Sequence, residues 1–245
     1  MTRYRRVLIK LSGGALAGAA DFGFDRAALD HIGDEILAVR ALGVEVAIMV
    51  GGGNIFRGRT ADEWGIERAE ADNIGTMATV INSLILRGVL TAKGAGEVRV
   101  MTAIPTPSVA EPYIRLRAIH HLEKGYLVIL AGGNGQPYVT TDYPSVQRAI
   151  ELRADVIIAA KEGVSGVFTA DPRRDPNARQ YRTASYDEVL RAGVQVMDQS
   201  AFLLARDYGL PIRVVDAAGK GYMRRICEGE DAGTLIGPGL PTTLA

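Results

Sequence analysis

The stretch Val44-Glu45-Val46-Ala47-Ile48-Met49-Val50-Gly51-Gly52-Gly53-Asn54 places three consecutive glycines and an asparagine directly behind an apolar run. An apolar run of this length is typical of a buried strand. Glycines at the end of a strand let main-chain N–H groups close on a phosphate. Arg57 follows three residues later and would add positive charge. The stretch therefore predicts a phosphate-binding turn at the edge of a sheet.

Two further glycine turns follow apolar runs in the same way. Lys10-Leu11-Ser12-Gly13-Gly14 comes after the run that begins at Arg6, and Gly132-Gly133-Asn134-Gly135-Gln136-Pro137 comes after the run that begins at Tyr126. Nucleotides bind at the carboxyl edge of the strands in open α/β folds. The sequence therefore predicts that the three turns converge on one nucleotide site.

The rest of the chain alternates apolar runs with amphipathic segments, which predicts an α/β fold with a mostly parallel open sheet and helices on both faces. Strands are expected near 6–11, 45–50, 98–102, 126–131, 155–160 and 212–215. Helices are expected over 30–41, 72–90, 145–152, 185–192 and 197–208. The Pro- and charge-rich segment 171–181 predicts a solvated loop, and the tail from Gly237 is expected to fray.

Composition narrows the function classes. The 245 residues are 47% hydrophobic and 23% charged, which is typical of a globular protein with a large core. Lys plus Arg and Asp plus Glu number 28 each, so no overall charge favours nucleic acid or anionic membrane as a partner. The single cysteine, Cys227, excludes an intramolecular disulfide. No apolar run is expected to reach membrane-spanning length, and we expect a cytoplasmic location.

The familiar phosphate motifs are absent. The chain has no Gly-x-x-x-x-Gly-Lys-Ser/Thr string, and the turn at Gly133 lacks the third glycine of the dinucleotide fingerprint. A P-loop enzyme and a nicotinamide dehydrogenase are therefore disfavoured. Lys10 is either a strand-end lysine in solvent or, with the glycines behind it, half of a phosphate clamp.

Three other groups of residues could each have a purely structural role. Thr141 or Asp142 could cap the helix that follows, or could place polar groups at a ligand. Asp171, with Pro172 behind it, could form a turn and nothing more. Arg57 and Asp72 could be solvated or capping residues, or could together hold a phosphate and a sugar hydroxyl.

Several strings of the sequence carry a family resemblance in order from residue 4 to about 236. These strings are KLSGGALAG (10–18), GGGNIFRG (51–58), ADNIGTMATVIN (71–82), RVMTAIP (99–105), PYVTTD (137–142), GVFTADPRRDPNA (166–178), SYDEVL (185–190), VMD (196–198), ARDYGLPIRV (205–214) and GTLI (233–236). In these strings the chain resembles the bacterial uridylate (UMP) kinases of the amino-acid-kinase superfamily.

The resemblance implies an amino-acid-kinase-like three-layer sandwich that transfers the ATP γ-phosphoryl group to UMP, giving UDP in pyrimidine nucleotide biosynthesis. It implies an acceptor (UMP) lobe over 1–160, which contains the phosphate clamp, and an ATP-binding lobe over 161–245 packed on the same sheet. Mg²⁺ would be carried with ATP, and no residue is assigned as a metal ligand. Homohexamers with GTP or UTP as effectors are expected from the same resemblance.

The resemblance also assigns residues by position. The catalytic residues would be Lys10, Arg57 and Asp142. Contacts to ATP would come from Lys10, Leu11, Ser12, Gly13, Gly53, Arg57, Lys161, Glu162, Phe168 and Asp171. Contacts to UMP would come from Gly52, Asp72, Asn134, Gly135, Gln136, Pro137, Tyr138, Val139, Thr140 and Thr141.

Some residues depart from the family pattern. Gly14 stands where a glutamate is common, and Asn134, Gln136 and Tyr143 differ near the acceptor region. These departures leave the choice of monophosphate open. Two alternatives also stay open: a kinase for another small acceptor, and a non-catalytic anion-storage or nucleotide-sensing protein on the same fold.

Overall fold

The computed structural model describes residues 2–20, 22–172 and 174–245. Their strands form one ten-stranded sheet in the order β10-β7-β9-β8-β6-β1-β2-β5-β3-β4. The strands are β1 (Arg6–Leu11), β2 (Glu45–Val50), β3 (Val98–Thr102), β4 (Glu111–Pro112), β5 (Leu127–Ala131), β6 (Val156–Lys161), β7 (Tyr181–Ser185), β8 (Ile212–Asp216), β9 (Thr234–Gly237) and β10 (Thr243–Leu244). All neighbouring pairs are parallel except β8 with β9 and β7 with β10.

Helices cover both faces of this sheet. They are α1 (Gly14–Ala17), α2 (Arg26–Arg40), α3 (Gly58–Trp64), α4 (Arg68–Ala92), α5 (Arg115–Glu123), α6 (Asp142–Leu152), α7 (Tyr186–Arg191), α8 (Gln199–Asp207) and α9 (Tyr222–Glu228). Successive side chains of a strand point to opposite faces. Val7 and Ile9 accordingly pack into the core with α2 and α4, whereas Leu8 packs into the core with α6 and α8. The predicted α/β class with helices on both faces is confirmed.

The centre of the sheet sets up the site. β1 lies between β2 and β6, and Lys10 is in register with Met49 of β2 and Ala159 of β6. Because these strands are parallel, their carboxyl ends meet at one edge. β5, the next strand beyond β2, ends at the same edge. The loops that follow β1, β2, β5 and β6 are therefore neighbours.

The six predicted strands are confirmed to within one residue at each end. Three predicted helices begin earlier than expected, at Arg26, Arg68 and Asp142. At the first of these, the Asp25 carboxylate accepts the Ala28 N–H at 2.7 Å, a side-chain cap that fixes the start of α2. Strands β4, β7, β9 and β10 were not predicted, because they are short and lack a long apolar run.

The prediction of a frayed tail is wrong, because β10 pairs with β7 and the Thr183 hydroxyl donates to the Pro241 carbonyl at 2.5 Å. The predicted loop 171–181 is mostly exposed, and the bridge between Phe168 and Gln180 joins its flanks. Within that loop, Arg173 lies outside the described residues.

Helix α4 is, by length and composition, apolar enough to cross a membrane. The expectation that no segment reaches this length is therefore wrong. The helix packs against α2 and α3 and against strands of the sheet. A long apolar helix that covers a sheet in the core of a globular protein has the same length and composition.

Candidate active site

A cavity of about 730 Å³ opens at the carboxyl edge of the central strands. Residues from all three glycine turns line it, among them Gly13, Gly52 and Gly133. The predicted convergence of the turns is therefore confirmed. Lys10 and Lys161 bring positive charge to the cavity from the ends of β1 and β6.

The first glycine turn packs against the second, and the second packs against α4, so closely that side chains would not fit. A Cβ atom on Gly13 would lie 2.5 Å from the Gly53 nitrogen, and one on Gly52 would lie 2.5 Å from the Gly75 carbonyl oxygen. Both distances are shorter than a van der Waals contact allows. Glycine is therefore required at these positions for the close packing of backbone on backbone.

Two polar side chains of α4 hold the second and third turns. Asn82 is fully buried, and its side-chain amide donates to the Gly51 carbonyl at 2.6 Å. Thr79, one helical turn earlier, accepts the Gly132 N–H at 2.8 Å. Sequence reasoning missed both residues, and the signal for them is a polar residue on the buried stripe of an otherwise apolar helix.

A buried charge cluster stands behind the first turn. Lys10 Nζ donates to Asp142 Oδ1, and Lys161 Nζ lies 3.5 Å from the same oxygen. The other carboxylate oxygen accepts the Asp198 N–H at 3.3 Å. Asp142 itself does not line the cavity, whereas both lysines do. The carboxylate therefore holds two cations at the cavity wall and leaves a net positive charge there.

Burial and charge set the titration of this cluster. Burial by itself raises the pKa of Asp142, but Lys10 and Lys161 more than offset it and hold that pKa below its ordinary value. Burial and the neighbouring Lys10 lower the pKa of Lys161 to about 8, and Asp142 opposes this shift in part. Asp142 is therefore ionised at neutral pH, whereas Lys161 titrates slightly above neutral pH.

The loop before α6 connects this cluster to α8. The Thr140 hydroxyl donates to Asp198 Oδ2 at 2.5 Å and accepts the Asp142 N–H at 3.1 Å. The side chain of Thr141, the residue before the helix, makes no capping bond. The prediction that Thr141 or Asp142 caps this helix is therefore wrong, because the hydroxyl of Thr140 accepts the first N–H of α6.

On the opposite wall, Asp72 projects from the first turns of α4 into the cavity. Its carboxylate oxygens each lie 3.0 Å from Arg68 Nε, and one of them accepts the Tyr138 N–H at 2.7 Å. Arg57, from the second turn, also lines the cavity. This wall presents a carboxylate held in one orientation.

A second cavity of about 490 Å³ adjoins the first, and Val164, Gln195 and Val196 line both. Phe168 and Asp171, which the resemblance assigned to the adenosine side, lie in this second cavity. Gln195 and Val196 were not predicted. Lys10 and Lys161 line the first cavity and not the second.

Most of the predicted site residues line one of the two cavities. Leu11 does not, and its side chain is buried in the core. Gly135 and Pro137 of the third turn, and Tyr138 directly after it, do not line the main cavity. Tyr138 reaches the site through its backbone N–H, which meets Asp72.

A resident metal centre would need several ligating side chains. Among the described residues, no group of three or more His, Cys, Asp or Glu is placed to hold a metal ion. The carboxylates at the cavity wall are Asp72, paired with Arg68, and Glu162, which has no ion pair with a described residue. Mg²⁺ carried by a nucleotide needs one or two carboxylates besides phosphate and water. This donor set fits a nucleotide-carried ion, with Glu162 as the residue that would hold it.

Comparisons with known proteins agree with this geometry. The Amino acid kinase family matches residues 5–216. The uridylate kinases of Frankia casuarinae and Frankia alni are 64% and 62% identical to the chain; each alignment covers 96% of this chain, and 91% and 92% of the respective relatives.

Solved structures give the same result. A crystal structure of the UMP kinase from Bacillus anthracis matches with a TM-score of 0.96 and 61% identity over 99% of both chains. The UMP kinase from Ureaplasma parvum matches with a TM-score of 0.89 and 29% identity, over 96% of this chain and 99% of that one. The strand order, the converging glycine turns and these similarities together show that the chain belongs to the amino acid kinase family.

Proposed function

We propose that this protein is an ATP-dependent UMP kinase, which transfers the γ-phosphoryl group of ATP to UMP and releases UDP and ADP. The observation that carries the proposal is the pair of adjoining cavities with Lys10 and Lys161 at the wall of the larger one. The identity of 64% to a uridylate kinase over 96% of the chain supports UMP as the acceptor.

The chemistry needs alignment and charge neutralisation more than it needs a base. A phosphate oxygen of UMP attacks the γ-phosphorus, and the bond from that phosphorus to the β,γ-bridging oxygen breaks, leaving its electron pair on ADP. The attacking phosphate is already ionised at neutral pH, so no group must remove a proton. This agrees with a cavity rich in glycine, lysine and arginine.

Each charged residue then has a role in the proposal. Lys10 offsets the negative charge on the transferred group, and Arg57 holds phosphate oxygens where donor and acceptor meet. Asp142 orients Lys10 and Lys161 and is not a proton acceptor. Mg²⁺, held by the nucleotide and Glu162, would neutralise charge on the β- and γ-phosphates.

We assign the two substrates to the two sides of the cavity system. ATP would extend from the first glycine turn towards Phe168 and Asp171, through the ATP lobe of residues 161–245. UMP would lie against Gly52, Asp72 and the third turn, within the acceptor lobe of residues 1–160. Asn134 and Gln136 line the acceptor side and would meet the base.

Assembly is proposed from an exposed apolar stripe on α4. Met77 and Ile81, one helical turn apart, are each 44% exposed. Exposed apolar side chains in a row favour contact with a second copy of the chain. We propose a homo-oligomer, a hexamer by resemblance, with GTP or UTP as effectors and a cytoplasmic location.

One assay tests the function. Purified protein is mixed with ATP-Mg²⁺ and with UMP, CMP, dUMP, AMP or glutamate, and ADP release is followed. We expect turnover with UMP well above that with the other acceptors. Turnover with glutamate alone would favour a kinase for another small acceptor. ADP release with none of the acceptors would favour a storage or sensing protein.

A further inference from the structure

We infer that Arg68 is a positioning residue for the acceptor: with the backbone N–H of Tyr138, it fixes the Asp72 carboxylate so that one oxygen is presented to a ribose hydroxyl. This inference rests on the proposed function, which makes a ribonucleoside monophosphate the acceptor. It adds a residue that neither the motifs nor the predicted site contained.

The first observation is the geometry at Asp72. Arg68 Nε lies 3.0 Å from both carboxylate oxygens, and Oδ2 also accepts the Tyr138 N–H at 2.7 Å. Oδ1 has no second partner among the described residues. A carboxylate oxygen accepts more than one hydrogen bond. Oδ1 can therefore take a hydroxyl hydrogen, and Asp72 lines the cavity where that hydroxyl would lie.

The second observation is the backbone at Tyr138. Its φ is +64°, a left-handed conformation that is an outlier for an aromatic residue. The conformation places its N–H on Asp72. The residue is 66% exposed, and its ring lies under the Arg68 guanidinium at 6.0 Å from the ring centre. Strained backbone of this kind persists where the surroundings hold it and concentrates at ligand sites.

The third observation is the exposure of the Arg68 side chain. Its side chain is 61% exposed, so burial of an apolar core does not explain its place. It nevertheless lines the cavity, and its contacts link α4 to the third glycine turn. Arg68, Asp72 and Tyr138 thus form a clamp in which two separate elements determine where one carboxylate points.

The clamp predicts selectivity for the sugar more than for the base or the phosphate. A site with a fixed hydrogen-bond acceptor for a hydroxyl loses more affinity when the hydroxyl is missing than when an apolar group is missing. UMP should therefore bind more tightly than its 2′-deoxy or 3′-deoxy analogue. Arg68→Met should reduce this preference, because Asp72 is then free to rotate.

The test measures binding by titration calorimetry for UMP, 2′-deoxy-UMP and 3′-deoxy-UMP. We expect Arg68→Met to weaken UMP binding about tenfold and to leave ATP binding unchanged. Binding of the deoxy analogue that lacks the hydroxyl bound by Asp72 should change about twofold or less. In a protein that already carries Asp72→Asn, Arg68→Met should weaken UMP binding little further. Arg26→Met is the matched control, since Arg26 pairs with Asp30 one turn along α2 and does not line the cavity.

Two outcomes would overturn the inference. Equal weakening for all three monophosphates would assign Arg68 to the phosphate or the base. Unchanged sugar preference in Arg68→Met would show that Asp72 needs no positioning by Arg68. If the proposed function fails, the result is different: the wild-type protein binds UMP but releases no ADP in its presence. The binding comparison then still decides the role of Arg68.

Discussion

The side-chain amides of Asn54 and Asn82 face each other in the core, and each donates to the other's carbonyl oxygen, at 3.2 and 2.6 Å. Both side chains are fully buried. The remaining N–H bonds go to backbone carbonyls, from Asn54 to Gly23 and from Asn82 to Gly51. This closed pair ties the second glycine turn to α4, so the shape of that turn depends on a residue far from it in sequence.

Asn82→Ala should therefore destabilise the protein strongly. The substitution leaves the Gly51 carbonyl and the Asn54 amide without their buried partner, which costs on the order of 2–4 kcal/mol in the free energy of unfolding. Urea denaturation measures the change. Asn73→Ala, at an exposed position of the same helix, is the control and should shift stability by less than about 0.5 kcal/mol. Similar losses in both variants would mean that the amide pair is unimportant.

Two glycines of the second turn should respond differently to alanine. A Cβ on Gly52 would collide with the Gly75 carbonyl and with Ala78, whereas a Cβ on Gly53 meets nothing within 4 Å. We expect Gly52→Ala to cost about 1–3 kcal/mol of stability through forced backbone shifts, and Gly53→Ala to be nearly neutral. Thermal unfolding of the two variants makes the comparison. Equal melting temperatures would refute the close approach of this turn to α4.

Lys10→Met should lower kcat strongly and retain UMP binding. If Lys10 offsets charge that develops on the transferred group, its loss costs about 2–4 kcal/mol of transition-state stabilisation, or about 10²–10³ in kcat. Steady-state kinetics and UMP titration separate the two effects. Lys124→Met, at an exposed position on the far side of the central strands, is the control. An unchanged kcat in Lys10→Met would leave Lys10 without a role in catalysis.

Lys161 should couple ATP binding to a proton. Burial and Lys10 lower its pKa to about 8, so the side chain is charged below that pH and neutral above it. A bound triphosphate favours the charged form and raises this pKa again. At about pH 9 we therefore expect ATP binding to take up a proton, measured by calorimetry in buffers of different ionisation enthalpy. The uptake should be absent in Lys161→Met, and an equal uptake in both proteins would assign it to another group.

Ile81→Glu should break the proposed contact between copies of the chain. A charge placed in an apolar interface loses its hydration without a partner, and the assembly should dissociate to smaller species. Sedimentation velocity measures the change. Leu203→Glu, at a similarly exposed position on α8, is the matched substitution elsewhere on the surface. If both variants keep the wild-type size, the α4 stripe is not the interface.

The sequence by itself determined the central strands and the glycine turns. Both depend on local patterns: an apolar run that alternates between two core faces, as Val7, Leu8 and Ile9 do, and glycines where backbones must approach. Helix starts were less well predicted, because Asp25 and Thr140 act through single hydrogen bonds that leave little periodic signal.

Tertiary structure alone decided which side chains support the site. Asn82 and Thr79 bond to glycine turns 31 and 53 residues away, and Arg68 holds a carboxylate that also meets Tyr138, 66 residues beyond it. The tail strand β10 likewise exists because β7 offers it an edge. Such partners are set by the folding of distant segments against one sheet, and hydrogen bonds between distant segments have no periodicity in the chain from which they could be predicted.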